Sequence, residues 1–99
     1  MGFGGAGTLQ ILFIGELGGE RLRGEMVAPF CENVDHVKSY LNFIYDVPRA
    51  DMRIYWLNPI TELFYDAPFT TLLFNYCFSG VVCLYVVDSD NAASRRQGR

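Results

Sequence analysis

From Phe69 to Val87 the chain carries no charged residue, a run close to the roughly 20 apolar residues that a membrane-spanning helix needs. Either this run crosses a bilayer as one helix, or it is cut into pieces that a small core has to bury. Its interior speaks for the second. Asn75, Ser79 and Gly80 fall mid-run, and Asp66 and Asp88 flank it where basic anchors are usual. Ser79-Gly80 is a break, after which Val81 to Val87 (VVCLYVV) is a β-branched run of the kind that forms a central strand buried on both faces. Before the break, Leu72, Leu73 and Tyr76 stand at helical spacing, which predicts a short helical turn within Thr70 to Phe78.

A strand this apolar is a liability at a sheet edge, so its neighbours must come from the rest of the chain. Thr8 to Ile14 (TLQILFI) is short and β-forming, and Gly15 to Gly19 supplies a turn. From Glu20 to Pro29 the pattern alternates. Leu22, Gly24, Met26 and Ala28 share one face, Arg21, Arg23, Glu25 and Val27 the other, which predicts a half-buried strand returning antiparallel.

Asn33 then caps an amphipathic helix, with Asp35 in its first turn to complement the dipole. Val34, Val37, Leu41 and Ile44 form its buried stripe, while His36, Ser39, Asn42 and Phe43 face out. Asp46-Val47-Pro48 ends it. Met52 to Leu57 reads as a strand, Asn58-Pro59 as a turn, and Ile60 to Tyr65 as a short partner strand. The result is an α+β sheet covered on one side by a helix.

With 99 residues there is room for one core. The expected division is a flexible glycine-rich leader over 1–7, a folded domain over 8–87 and a disordered polar tail over 88–99. A hydrophobic share of 51% with 19% charged residues excludes a disordered chain or a solvated coiled coil. A net charge of −3 counts against nucleic acid as a partner, and the N-terminus has no basic region of the kind that opens a secretory signal.

Catalytic and metal chemistry find little support. Cys31, Cys77 and Cys83 are odd in number and fit no zinc spacing, so free, mostly buried thiols are expected and no metal or cofactor is implied. Cys31 and the single histidine, His36, straddle a helix start with the imidazole phased outward, so they do not make a nucleophile–base pair. Glu16, Glu20 and Glu25 line one hairpin without an opposing carboxylate cluster. The glycines of the leader precede a strand, whereas a phosphate loop follows one and opens a helix. The chain is not expected to be an enzyme.

The order of elements resembles the ubiquitin superfamily over Thr8 to Val87. The resemblance is carried by the helix NVDHVKSYLNFIYD, the Val47-Pro48 step and the strand RIYWL, and also by Leu9-Gln10-Ile11 and by Thr71-Leu72 with Asn75-Tyr76. It implies a β-grasp fold, a mixed sheet with one main helix packed across it, in a cytoplasmic or nuclear protein. Conjugated members carry a diglycine directly after the last strand; here Asp88-Ser89-Asp90 follows, which argues against conjugation.

The resemblance further implies a buried ion pair of Lys38 with Asp66, Glu62 being the alternative. It also implies an apolar sheet face read by ubiquitin-binding helical domains or by proteasome and ubiquitin-pathway components. Tyr55 would lie at the centre of that face, Arg53 at its border, and Leu17 would contribute from the hairpin turn. On the last strand either Tyr85 with Val87 or Leu84 with Val86 faces out, since a shift by one residue exchanges the faces. The expected function is a non-catalytic interaction module. The competing readings are a small membrane protein spanning 69–87, and a modifier whose maturation site lies outside this chain.

Overall fold

The computed structural model describes residues 7–89; the rest of the expected leader (1–7) and tail (88–99) lies outside them. Gly7 accepts from the Phe30 N–H at 2.8 Å, Asp88 ends the last strand and Ser89 donates its N–H to the Asp51 carbonyl at 2.7 Å, so the ordered part runs past both expected bounds. Five strands, β1 (Thr8–Leu17), β2 (Glu20–Pro29), β3 (Met52–Leu57), β4 (Phe64–Asp66) and β5 (Val81–Asp88), form one sheet in the order β2-β1-β5-β3-β4. β1 and β5 run parallel and every other pair antiparallel. One helix, α1 (Val34–Tyr45), packs across one face.

The hairpin turn is shorter than the glycine-rich segment predicts. Gly18 and Gly19 alone make it, with φ of 59° and 86°, the paired positive values that a two-residue turn between twisted strands requires. Gly15 stays within β1 at φ 144°, where a Cβ would fall inside the Val86 carbonyl of β5. Glycine is needed there for close backbone approach.

Asn33 caps α1 through its side chain, which accepts from the His36 N–H at 3.3 Å. At the other end Asp46 adopts φ 57° and donates its N–H to the Asn42 carbonyl, 2.9 Å, the left-handed closure that stops a helix. Val34, Val37 and Leu41 are fully buried against Ile11, Ile54, Val82, Leu84 and Val86. Each such side chain contributes about 1.5–3 kcal/mol by leaving water. Ile44, expected in the same stripe, is 49% exposed. Tyr45, one position on, packs on the core in its place.

The uncharged run divides as its Ser79-Gly80 break predicts, into a 3-10 turn over Leu73–Tyr76 and the central strand β5. Among the described residues no helix is long and apolar enough to cross a membrane. β5 is not buried on both faces, however. Val82, Leu84 and Val86 are buried and their alternating neighbours only half so, because the helix covers one face of the sheet and the other lies open. β4 is also shorter and later than Ile60 to Tyr65. The Asn58 carboxamide accepts from the N–H groups of Ile60 (2.8 Å) and Thr61 (3.3 Å), which holds residues 58–63 in a loop.

Candidate partner-binding face

Strand alternation sorts the sheet into a covered and an open face. In β1 the inward series is Leu9, Ile11, Phe13 and Leu17, so Gln10, Leu12, Ile14 and Glu16 point away from the helix. The parallel register then sets Leu12 beside Cys83, Ile14 beside Tyr85 and Glu16 beside Val87. Across β5, Tyr85 faces Tyr55 and Val87 faces Arg53, while β4 adds Phe64 opposite Leu57 and Asp66 opposite Tyr55.

These pairs lay an apolar row over the middle of the open face: Leu12 and Ile14, then Cys83 and Tyr85, then Tyr55, Leu57 and Phe64. Tyr85 is its hub, with ring centroids 5.0 Å from Phe64 and 6.5 Å from Tyr55. Leu12, Ile14, Leu57, Phe64 and Cys83, with Leu84 beneath, line a cavity of about 170 Å³. A neighbouring cavity of about 210 Å³ shares Leu57 and Cys83 and runs on to Trp56, Tyr76 and Phe78.

One end of the row is charged, with three arginines set among Asp66 and Glu16. Arg53 lies 5.3 Å from the Tyr55 ring centroid and its Nε is 3.7 Å from an Asp66 carboxylate oxygen. Both partners of that ion pair are about half exposed or more, so it orients the guanidinium more than it stabilises the fold. Arg21 and Arg23 of β2 stand opposite Glu16 and Ile14 at the same end. At the opposite end Gln10 Nε2 donates to Glu25 at 2.6 Å.

Of the residues named from the sequence, the structure brings Arg53, Tyr55, Tyr85 and Val87 onto this face, and the register of β5 resolves to Tyr85 and Val87 outward. Leu17 does not join them. The two-residue turn keeps it in strand phase with the inward side of β1, and it is 3% exposed. Leu12, Ile14, Leu57, Phe64 and Cys83 were not anticipated. The alternation within TLQILFI carries the signal for the first two: once Leu9, Ile11 and Phe13 point in, Leu12 and Ile14 must point out.

The Lys38–Asp66 pair does not form, and Glu62 does not replace Asp66. Asp66 lies on the open face and α1 on the covered one, so a helix side chain cannot reach it. Glu62 is exposed in the loop before β4. The Lys38 ammonium instead sits 5.7 Å from the Phe69 ring centroid. The thiols are less buried than expected: Cys31 is exposed, and Cys77 and Cys83 are half-buried. His36 turns its Nδ1 to Glu32 Oε1 at 3.5 Å.

No family model matches the chain, and no curated protein does. Solved structures do match. The C-terminal ubiquitin-like domain of mouse tubulin-specific chaperone e superposes with a TM-score of 0.56 and 22% identity, over 87% of this chain and 93% of that one. Tubulin-binding cofactor B of Trypanosoma brucei gives 0.60 at 13% identity, over 80% and 94%. The ubiquitin-like domain of an Arabidopsis thaliana protein gives 0.55 at 15%, over 84% and 82%. The fold is therefore the ubiquitin-like β-grasp, an α+β mixed sheet with one helix across it.

Proposed function

We propose that this domain is a non-catalytic interaction module that docks protein partners on the open sheet face without being conjugated to them. The observation that carries the reading is the apolar row from Leu12 to Phe64, laid across β1, β5, β3 and β4 where a monomer normally places polar side chains. Contiguous apolar surface of this kind, bordered by charge, marks contact sites. Tyr55, Tyr85 and Arg53 are of the types that dominate binding energy. Asp88 at the end of β5 and the Ser89-Asp90 that follow it stand where conjugated members of the ubiquitin superfamily carry a diglycine, which supports a non-covalent role.

The matching partner brings aliphatic side chains to the cavity beside Cys83 and carboxylates to Arg53 and Arg23, as a helical ubiquitin-binding domain does. Titrating the isotope-labelled protein with such a domain should shift the backbone NMR signals of Leu12, Ile14, Tyr55 and Tyr85. Shifts clustered instead on the helix around His36 and Asn42 would overturn the assignment. A second reading follows from the tubulin cofactors among the similar structures: the partner belongs to the tubulin-folding machinery. It is a fold-level analogy, and the same titration with αβ-tubulin tests it.

A further inference from the structure

β2 offers a second surface, its outer edge, which shares Arg21 and Arg23 with the border of the open face. It is ten residues long, and among the described residues β1 is its only partner in the sheet, which leaves its outer side as an edge. The parity of the ladder says which groups that edge presents. Phe30 donates its N–H to the Gly7 carbonyl at 2.8 Å, and Gln10 of β1 donates away from β2, to Gly80 at 3.0 Å. With Leu17 opposite Glu20 and Thr8 opposite Pro29, the even-numbered residues of β2 bond to β1. The N–H and C=O groups of Arg21, Arg23, Glu25 and Val27 therefore point outward. Natural proteins usually break up so long an edge with a bulge or a like-charged row. Here the register is unbroken, and the charge changes sign along one face, from Arg21 and Arg23 to Glu25.

We infer that two copies of this chain pair antiparallel through β2, about a two-fold axis at Gly24. In that register Arg23 of each copy stands directly opposite Glu25 of the other, and Arg21 opposite Val27, as hydrogen-bonded pairs. Leu22 meets Met26 on the covered side. Gly24 faces Gly24 where opposed backbones approach most closely, and no side chain obstructs them. Moving the axis one residue either way stacks Arg23 on Arg23 or Glu25 on Glu25, which like-charge repulsion disfavours. Pro29, which has no N–H to offer, falls opposite the Gly19 turn and outside the ladder. The charge pattern thus favours this register, the one that pairs opposite charges without stacking like ones, and it favours a single occupant, a second copy. β4 at the other edge is only three residues long. Because the axis is perpendicular to the sheet, both open faces end on the same side of a ten-stranded platform, which would bind a repeated partner bivalently.

The test is sedimentation equilibrium of the full 99-residue chain, between about 10 μM and 1 mM, where mass action populates a weak dimer. It is paired with amide hydrogen exchange at the two ends of that range. A dimer is expected, with Arg21, Arg23, Glu25 and Val27 amides gaining protection at high concentration. R23E should weaken association about tenfold or more, and the swap R23E/E25R should restore it to within about threefold, since only the swap returns opposite charges to facing positions. Circular dichroism of each variant checks that the monomer is still folded. A monomer throughout the range, protection confined to β4 or to the open face, or a swap that fails to rescue would each overturn the inference.

Discussion

The two faces of the sheet are built from the same strands, in places from adjacent residues, yet they do opposite work. On the covered face Ile11, Ile54, Val82, Leu84 and Val86 are aliphatic and sealed under α1. On the open face their neighbours Leu12, Tyr55, Cys83 and Tyr85 are half in water, the tyrosines and the thiol more polarisable than the core aliphatics, and they are bordered by Arg53, Arg23 and Arg21. Shape-matched aliphatics give a unique packing. Aromatic rings and a guanidinium give contact area that stays available to another surface. An apolar excess in the composition is therefore the total of two populations, one spent on the core and the other left for contact.

Four substitutions probe this contrast. The largest effect is expected at Gly15, where the β1 and β5 backbones approach too closely for any side chain. Gly15→Ala should cost about 4 kcal/mol or more, in the range reserved for backbone strain, and denaturant unfolding will read it as a lowered midpoint or as failure to fold. Next comes the covered face itself. Leu41→Ala removes a fully buried side chain and should cost about 2–5 kcal/mol, with partner affinity per folded molecule unchanged. The third is its counterpart across the sheet. Ile14→Ala, at a position 45% exposed, should cost under ~1 kcal/mol of stability and yet weaken partner binding tenfold or more, about 1.4 kcal/mol. If Ile14→Ala lowers stability as much as Leu41→Ala, the two faces are not functionally distinct.

The smallest effect is expected at Lys38. With its ammonium over the exposed Phe69 ring and no pairing to Asp66, Lys38→Met should move stability by no more than about 0.5 kcal/mol. A thermal midpoint lowered by several degrees would show that Lys38 holds a buried partner after all, and would tie α1 to the strand β4.

Much of this architecture was legible from local pattern. The bounds of β2 and β3, the Asn33 cap and the helix stop at Asp46-Val47-Pro48 all follow from periodicity and end chemistry acting within a few residues. The misread elements share one cause. Leu17, Ile44 and the start of β4 depend on where a turn closes and what lies opposite, which neighbouring residues do not encode. The paired positive φ of Gly18 and Gly19 shortened the turn and carried Leu17 into the core. The Asn58 carboxamide captured Ile60 and Thr61 and delayed β4.

The open face was half visible. Arg53 and Tyr55 follow from the resemblance, and alternation within β3 agrees with it, but β5 has two registers, each as apolar as the other. Pairing with β1 and β3 chose between them, because a strand's faces acquire meaning only when one of them meets a helix. The same holds for the uncharged run that opens the problem. Ser79-Gly80 and the β-branched stretch after it already divide the run into a turn and a strand, since backbone preference is a property of each residue. That its strand would be sealed on one side and left open on the other depended on a single helix covering a two-sided sheet, and no residue within the run records it.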